Sequence, residues 1–329
     1  MDLNKLKSFL GEDWTRVEIR IGEQLKSDIE VLNVTNSRIL EHSGKQLRPL
    51  LALLVARACS GGRLTEASVS YAAAAELLHN ATLLHDDVAD NSDQRRGVPT
   101  IRSLMGPSVS VLVGDFWLVR AMECILGCDT PLDGRVIRLF SRTLSDLAEG
   151  EMFQLQKAGT CDTDEDDYVR IIFNKTASLF EAAAVSAAIS VNASQEQEQA
   201  VRTYAVSLGM AFQIRDDIFD YSPSSSQVGK PVGVDILEQK MTLPLLGALH
   251  NASADTDADI RKKVRDIRSN PGYRDEIIAF VRTHNGIEYA TRRLGEYIDK
   301  AVKALDVLPD SMEKNCLAEI ADYVGKRLS

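Results

Sequence analysis

Apolar residues recur at helical spacing over most of the chain, and the breaks between the apolar windows are short. The stretch 160–208 has neither glycine nor proline and is rich in Ala, Leu, Glu and Gln, which favour helix over strand. The other windows of this kind are 47–59, 69–90, 111–126, 135–156, 198–221 and 293–308. Alternating Val/Ile/Thr runs with Asn-Gly or Asp-Gly turns are absent, apart from Asp133-Gly134 between two helical windows. The pattern predicts an all-α protein.

No internal boundary divides the sequence. The breaks are small groups of Gly, Pro and Ser at 60–62, 97–99, 106–107, 222–226 and 270–272. There is no long linker, shift in composition or repeat of fixed period. Windows 71–85 and 181–191 are apolar nearly all round, which is typical of helices at the centre of a large bundle. We therefore expect one domain, 1–329, built as a single bundle of helices.

Composition excludes several classes of protein. The 48 acidic residues exceed the 38 basic ones, and the net charge of −10 disfavours a nucleic acid partner. No apolar run reaches the roughly 18 residues of a membrane span, and residues 1–14 lack the apolar core of a secretory signal. The five cysteines are odd in number and form no CxxC, so a disulfide framework and a cysteine zinc site are both disfavoured. We expect a cytoplasmic protein.

A first carboxylate cluster, Asp86-Asp87-Val-Ala-Asp90, ends one of the apolar windows. On a helix, Asp86 and Asp90 lie one turn apart, about 6 Å along the axis. Like charges at that spacing repel, so a bound cation would stabilise the pair. Taken alone, the motif is equally typical of a solvated helix end, and both interpretations stay open.

A second cluster repeats the same spacing after another apolar window. Gln213, Asp216, Asp217 and Asp220 fall at i, i+3, i+4 and i+7, which places them on one helical stripe. Two such clusters that face each other across a bundle would form a site made of oxygen ligands. Such a site suits Mg²⁺, which keeps several waters and binds substrate phosphates.

Basic residues accompany both clusters, as a phosphorylated substrate requires. Arg offers a planar fork for phosphate and Lys offers a point charge. Each basic pair alone is most simply explained as surface charge, but the whole set together with both clusters favours binding of a phosphorylated substrate. The members of this set are Lys45, Arg48, Arg95, Arg96, Lys175, Lys230 and Lys240.

The chain resembles a trans-polyprenyl diphosphate synthase of the isoprenoid synthase type over nearly its full length. The resemblance is carried, in this order, by GKxxRP, LLHDDVADxSDxRRGxPT, EGExxQL, KTAxLF, FQIRDDxxDY, GKxxGxDxxExKxTLPL and LPDS. It implies an all-α isoprenoid synthase fold of mostly antiparallel helices around a deep central cavity, usually in a homodimer. Medium-chain and long-chain members, such as octaprenyl diphosphate synthases, are the most similar.

The resemblance also implies roles for single residues. Asp86 and Asp90 would bind Mg²⁺ that bridges an allylic diphosphate, and Asp216 would bind a further ion, with three ions in all. The carboxylates that would support these ligands, either through water or from behind the direct ligands, are Asp87, Asp217 and Asp220. The residues that hold the allylic diphosphate are Arg95, Lys175, Lys230 and Lys240. The residues that hold isopentenyl diphosphate are Lys45, Arg48, His79 and Arg96. Thr176 and Gln213 would point oxygens at the developing cation.

Three positions depart from the family pattern. Many members carry Arg where this chain has Gln46, Lys where it has Val98, and Gly where it has Gln239. None of the three is a metal ligand. Gln46 and Val98 bear on the affinity for the second diphosphate, that of isopentenyl diphosphate.

The implied reaction fits these residues. Cleavage of a C–O bond to diphosphate produces an allylic cation and a highly charged leaving group, which metal ions and fixed cations stabilise. The cation must be kept from water, so the cavity should be apolar. The isopentenyl double bond then attacks, and the released diphosphate accepts the proton, because the sequence offers no dedicated His or Glu base.

Two other functions are alternatives to an elongating prenyltransferase. Terpene cyclases have a similar helical cavity but usually lack a second full DDxxD and the GKxxRP element. Non-catalytic partner subunits of heteromeric synthases typically lose one or both aspartate clusters. This chain keeps both clusters and their cations, which favours catalysis.

Product length is indicated by small residues near the first cluster. Ala81 lies five residues before Asp86, about 7.5 Å along a helix, and Thr82 follows it. Leu78 lies one turn deeper, and Phe153, with Met152, is a candidate for the cavity floor. Short-chain synthases usually place a bulky side chain at position 81 or 82. We expect an octaprenyl product (about C40) for a quinone side chain, with a transient membrane contact at release; a farnesyl or geranylgeranyl product is the alternative.

The acidic run Asp162–Asp167 is denser in carboxylates than either cluster but has no neighbouring set of basic residues like theirs. It precedes a helical window. We expect it to cap that helix rather than to bind metal.

Overall fold

The computed structural model describes residues 3–95, 97–128, 134–221 and 232–326. Its helices are α1 Leu3–Leu10, α2 Glu12–Gln24, α3 Glu30–Glu41, α4 Leu47–Ser60, α5 Glu66–Ala89, α6 Ile101–Met105, α7 Pro107–Leu126, α8 Gly134–Thr160, α9 Glu165–Ile172, α10 Ser178–Ser190, α11 Gln195–Phe219, α12 Val234–Leu237, α13 Leu243–His250, α14 Ala254–Arg265, α15 Tyr273–Thr283, α16 Gly286–Ala304 and α17 Met312–Lys326. Within these ranges the strands are β1 Gln94–Arg95 and β2 Val98–Pro99, an antiparallel hairpin. The prediction of an all-α protein is confirmed.

Two further turns are helical without being α-helical. A π-helical turn, Phe173–Ala177, joins α9 to α10, and a 3-10 turn, Leu305–Val307, follows α16. The π-helical turn contains Lys175 and Thr176. Its position between two α-helices is a local irregularity that the apolar pattern does not predict.

Helix α5 shows how the sequence builds the core. Thr65 caps it through a reciprocal pair of hydrogen bonds with Ser68, which fixes its first turn. From Ala67 to Ala81 the side chains are buried on every face apart from that of His79, as expected for a helix that packs on all sides. It packs along α7 and against α2 and α4. The predicted central helix at 71–85 is thereby confirmed.

Contacts within the chain define two compact units. Unit 1 comprises Met1–Ser141, Ala182–Arg202 and Val307–Leu317. Unit 2 comprises Arg142–Glu181, Thr203–Asp306 and Ala318–Ser329. The first carboxylate cluster belongs to unit 1 and the second belongs to unit 2. The expectation of one domain stays a prediction.

The acidic run before α9 acts as a helix cap. The Asp164 side chain accepts a hydrogen bond from the Asp167 amide, and the Asp167 side chain accepts one from the Asp164 amide. Lys157 pairs with Asp167 at 2.6 Å. The capping prediction is confirmed.

The helices were also compared with the length that a membrane span needs. Among the residues that the structure describes, no helix carries an apolar stretch long enough to cross a bilayer.

Gln239 adopts a left-handed backbone conformation, with φ of 62°. A residue with a side chain is strained there, by about 1 kcal/mol, whereas glycine is not. Its side-chain amide donates to the Arg265 carbonyl at 3.0 Å. Glycine, which many members of the family that the chain resembles carry at this position, would relieve the strain but lose this bond.

We expect Gln239→Gly to be more stable than Gln239→Ala by about 1 kcal/mol, because both lose the side-chain bond and only alanine keeps the strain. Thermal unfolding of the two variants side by side measures the difference. An alanine variant that unfolds at the same temperature as the glycine variant, or above it, would show that the left-handed conformation carries no cost.

Candidate active site

The first carboxylate cluster lies at the carboxyl end of α5, in unit 1. Asp86 and Asp90 are partly exposed, and the Asp90 amide donates to the Asp86 carbonyl at 2.8 Å, so the two residues are one turn apart as predicted. The carboxyl end of a helix carries a partial negative charge, which makes it an unfavourable place for two carboxylates. A cation bound there would offset both the helix dipole and the mutual repulsion of Asp86 and Asp90.

Asp87 faces a different side of α5. It is buried, and the Nε of Arg95 donates to its carboxylate at 2.8 Å. Burial raises the pKa of Asp87, and the nearby Arg95 opposes that rise. Arg95 lies on the β1–β2 hairpin opposite Val98, one of the departures from the family pattern. The hairpin therefore holds Arg95 beside the end of α5 while its side chain binds Asp87.

The three described residues predicted to hold isopentenyl diphosphate also lie in unit 1. Lys45 precedes α4, Arg48 is in the first turn of α4, and His79 lies on α5 seven residues before Asp86, which is the same helical face. All three side chains are partly exposed. Gln46, between Lys45 and α4, accepts a hydrogen bond from Lys7 at 2.7 Å. Arg96 lies outside the described residues.

The second cluster lies at the carboxyl end of α11, in unit 2, and its three aspartates have different surroundings. Asp216 is exposed and pairs with Arg215 at 3.1 Å. Asp217 is buried and accepts hydrogen bonds from the Tyr168 hydroxyl at 2.6 Å and the Gln213 amide at 2.9 Å. Burial raises the pKa of Asp217. Asp216 is therefore the member whose environment best suits a metal ligand.

Asp220 has a structural partner of its own. Its carboxylate accepts hydrogen bonds from the backbone amides of Val234 at 3.1 Å and Asp235 at 3.0 Å, at the start of α12. Burial raises the pKa of Asp220, and these amide bonds oppose the rise. The carboxylate thus fixes the segment that leads to Lys240. Metal-bound roles for Asp87, Asp217 and Asp220 stay predictions from the sequence.

Lys175 and Thr176 stand on the π-helical turn of unit 2. The Lys175 ammonium forms an ion pair with Glu151 at 2.6 Å. The Thr176 hydroxyl donates to the Gln213 side-chain oxygen at 2.7 Å, and Gln213 in turn donates to Asp217. These bonds fix the orientation of the Gln213 amide. Thr176 and Gln213, to which the resemblance gives the same role, are thereby in direct contact.

A cleft of about 600 Å³ in unit 2 collects several of these groups. Its charged and amide side chains include Lys157, Lys175, Gln213, Asp217, Asp235 and Lys240. Lys240 also pairs with Glu238 at 2.5 Å, and burial raises the pKa of Asp235. Each of the three lysines of this cleft already has a carboxylate partner: Asp167 for Lys157, Glu151 for Lys175 and Glu238 for Lys240. Lys230 lies outside the described residues.

The donor set was compared with what Mg²⁺ requires. In the part of the chain that the structure describes, no three His, Cys, Asp or Glu side chains are grouped as a metal site. Mg²⁺ usually takes one or two carboxylates and completes its shell with water and substrate phosphates. Asp86 and Asp90 at the end of α5 offer oxygen ligands for an ion of that kind, and Asp216 at the end of α11 separately offers another.

The residues predicted to set product length are found in both units. Leu78 and Ala81 are fully buried on α5, and the Thr82 hydroxyl bonds back to the His79 carbonyl at 2.8 Å. On α8, Met152 is 67% exposed. The Phe153 ring lies under the Arg170 guanidinium at 4.6 Å. These charged surroundings give no support to Phe153 as the floor of an apolar cavity, and that role stays a prediction.

The sequence alone assigns no role to three residues of the site. Glu151 and Asp235 occur within the quoted motifs EGExxQL and GxDxxExK, so a signal was present without an assigned partner. Tyr168 lies in none of these motifs, so nothing in the sequence indicated that it belongs to the site. It lies 49 positions from Asp217 in the chain, and only the folded structure brings the two together.

Comparison with known proteins gives matches over the whole chain. The sequence model of the polyprenyl synthetase family matches residues 29–281. Octaprenyl diphosphate synthase of Escherichia coli strain K12 is 37% identical over 327 residues, which cover 99% of this chain and 99% of that protein.

Two solved structures are similar throughout. A decaprenyl diphosphate synthase from Rhodobacter capsulatus superposes with a TM-score of 0.92 at 36% identity and covers 100% of both chains. A polyprenyl synthase from Caulobacter crescentus CB15, complexed with calcium and isoprenyl diphosphate, has a TM-score of 0.90 at 31% identity and covers 100% of this chain and 98% of its own. These matches confirm the fold class predicted from the sequence.

Proposed function

Because this chain belongs to the polyprenyl synthetase family, we propose that it catalyses the Mg²⁺-dependent head-to-tail condensation of isopentenyl diphosphate with an allylic diphosphate. The primer is dimethylallyl, geranyl or farnesyl diphosphate. The product is a trans-polyprenyl diphosphate of medium to long chain. The observation that carries the proposal is the placement of partly or fully exposed carboxylates at the carboxyl ends of two helices, each with cationic side chains nearby.

Binding of the allylic diphosphate rests on these carboxylates and cations. Asp86, Asp90 and Asp216 are the residues that would hold Mg²⁺, with up to three ions. Mg²⁺, when bound, neutralises the diphosphate and stabilises it as a leaving group. The cations that would contact the same diphosphate are Arg95, Lys175, Lys230 and Lys240. That both clusters act on one diphosphate stays a prediction from the sequence.

The remaining residues act on the carbon skeleton and on the second substrate. The Thr176 hydroxyl, held against Gln213, presents lone pairs that stabilise the developing allylic cation. Isopentenyl diphosphate would be held by Lys45, Arg48, His79 and Arg96. Fixed donors and charges of this kind stabilise the transition state without reorganising during the reaction. The released diphosphate takes up the proton that the new carbon chain loses.

We propose an octaprenyl product, used for a quinone side chain, and a homodimer in the cytoplasm. The similarity to an octaprenyl diphosphate synthase over 99% of both chains and the small side chain at Ala81 support the product length. Leu112, Val119 and Leu126 are each at least half exposed on α7 and recur every seven residues, so they form one apolar stripe. Such a stripe supports contact with a second copy of the chain.

The proposal is tested by incubating the purified protein alone with Mg²⁺, isopentenyl diphosphate and each allylic primer, and by separating the products by chain length. We expect polyprenyl products longer than geranylgeranyl, and none when EDTA removes the metal. A protein that makes no prenyl product without a second polypeptide would be a partner subunit, and a cyclic hydrocarbon product would identify a terpene cyclase.

A further inference from the structure

We propose that Gly150 on α8 and Gly209 on α11 are positioning residues that hold the π-helical turn Phe173–Ala177 in place. Through that turn they set the positions of Lys175 and Thr176. This inference rests on the proposed function, because it concerns how two residues of the site in unit 2 are held for prenyl transfer.

The turn departs from α-helical bonding at one identifiable point. The Ser178 amide donates to the Phe173 carbonyl, five residues earlier, instead of to the carbonyl four residues earlier. That nearer carbonyl, of Asn174, accepts a hydrogen bond from the Ser178 hydroxyl at 2.7 Å. Ser178 therefore stabilises the wider turn with both its amide and its side chain. Turns of this kind need support from outside, because isolated helices rarely adopt them.

Gly150 supplies support on one side. A Cβ atom at this position would lie 2.7 Å from the Asn174 Cβ and 3.2 Å from the Lys175 backbone nitrogen. The first distance is shorter than carbon atoms tolerate, and both neighbours belong to the backbone or are fixed next to it. Because residue 150 is glycine, α8 can touch the middle of the turn.

Gly209 supplies support on the other side. A Cβ atom there would lie 2.6 Å from the Ala177 Cα and 2.9 Å from the Ala177 Cβ. Ala177 is fully buried at the end of the turn. The turn is thus held between two helices whose close approach depends on glycine, with Lys175 and Thr176 between the two contact points.

The Lys175 side chain binds a residue of α8, the helix that Gly150 brings close. The Thr176 side chain binds a residue of α11, the helix that Gly209 brings close. Lys175 forms its ion pair with Glu151, the residue next to Gly150. Thr176 donates to Gln213, which lies one helical turn after Gly209. A side chain at either glycine would move the turn and change the placement of the charge of Lys175 and the hydroxyl of Thr176. An error of about 1 Å in such placement is enough to lower a rate by about a hundredfold.

The test uses Gly150→Ala and Gly209→Ala, with Gly159→Ala on the same helix α8 and Gly295→Ala on α16 as controls. Apart from the neighbouring backbone of its own helix, no atom of the described residues lies within 4 Å of a Cβ at either control position. Alanine favours helix over glycine, so the controls should unfold at the same temperature or higher. We expect both test variants to lose at least about tenfold in kcat/KM for the allylic primer while the controls keep wild-type values.

Combining Gly150→Ala with Lys175→Ala distinguishes a loss of Lys175 positioning from a general disturbance of the fold. If Gly150 acts through Lys175, Gly150→Ala should cost about threefold or less once Lys175→Ala is present, because the effects of coupled residues do not multiply. Effects that multiply fully would overturn the proposal. The affinity for inorganic pyrophosphate, measured by calorimetry, should fall in Gly150→Ala and stay unchanged in Gly159→Ala.

Ser178→Ala tests the same turn if the glycine variants do not fold. It removes the hydroxyl bond to Asn174 without adding an atom, and we expect an intermediate loss of kcat/KM that is likewise reduced in the Lys175→Ala background. An inactive wild type would refute the proposed function itself. An active wild type, with Gly150→Ala and Gly209→Ala within about twofold of the controls, would refute only the role of the glycines.

Discussion

Replacing Asp86 or Asp90 with alanine should lower the rate of prenyl transfer by about a thousandfold or more. A metal ion at a diphosphate leaving group contributes several kcal/mol to transition-state stabilisation, and about 4 kcal/mol corresponds to a factor of about a thousand. Both carboxylates are partly exposed on one face at the end of α5, whereas Asp87 between them is buried against Arg95. The loss should appear in steady-state turnover with saturating Mg²⁺ and isopentenyl diphosphate.

The same substitutions should leave stability nearly unchanged. An ion pair of a partly exposed carboxylate contributes less than about 1 kcal/mol. Repulsion between Asp86 and Asp90 and the negative end of the α5 dipole act in the opposite direction. We therefore expect the free energy of unfolding to change by less than about 1 kcal/mol, as measured by thermal or urea unfolding.

Asp259→Ala is the matched control for these variants. Asp259 is an exposed carboxylate on α14 that pairs with Lys263, so its removal changes the net charge by the same amount. It should keep wild-type turnover. Near-normal turnover in Asp86→Ala and Asp90→Ala would remove the metal assignment from α5, and a large loss of stability would show that the carboxylates are structural.

The periodicity of apolar residues was sufficient to predict the fold class, but it did not predict where every helix ends. The stretch 160–208 lacks glycine and proline, yet it contains the ends of α9, the π-helical turn, α10 and the start of α11. The break after α10 is made by Asn192, which takes a left-handed conformation with φ of 56°. Asparagine can replace glycine at such a position because its short polar side chain lowers the cost.

The sequence predicted which residues of the candidate site share a helical face. It did not predict which residues from other helices they contact. Helical spacing was sufficient to place Asp86 and Asp90 one turn apart and to align Gln213 with Asp217. It carried no information on which residue from another element would meet them. The contact of Tyr168 with Asp217 and that of Glu151 with Lys175 depend on helix packing. The different roles of neighbouring aspartates, such as the bonds that Asp220 accepts from the backbone of α12, depend on it as well.

Replacing Ala81 with phenylalanine should shorten the product to farnesyl or geranylgeranyl length while leaving the first condensation nearly intact. Ala81 lies five residues before Asp86 on α5, about 7.5 Å along the helix axis from that carboxylate. The growing chain is proposed to extend from the carboxylates along this helix. A ring at position 81 would then block it after the first additions. Chromatography of the products by chain length measures the shift.

Stability distinguishes a channel-lining Ala81 from one that is simply packed. Ala81 is fully buried. In a close-packed core, a side chain as large as phenylalanine forces neighbours to move, at a cost of about 1–3 kcal/mol. If the methyl group instead faces space that the product fills, the ring occupies that space and the cost is smaller. We expect Ala81→Phe to unfold within a few degrees of wild type.

Ala74→Phe is the control that makes the result specific. Ala74 is also fully buried on α5 and lies seven residues before Ala81, on the same face and about 18 Å from Asp86. A ring there should truncate the product later than a ring at position 81, or not at all. Products of equal length from both variants, or an unchanged product from Ala81→Phe, would show that α5 does not set the length. If the truncated product becomes longer as the ring moves away from Asp86, the product must lie along this helix.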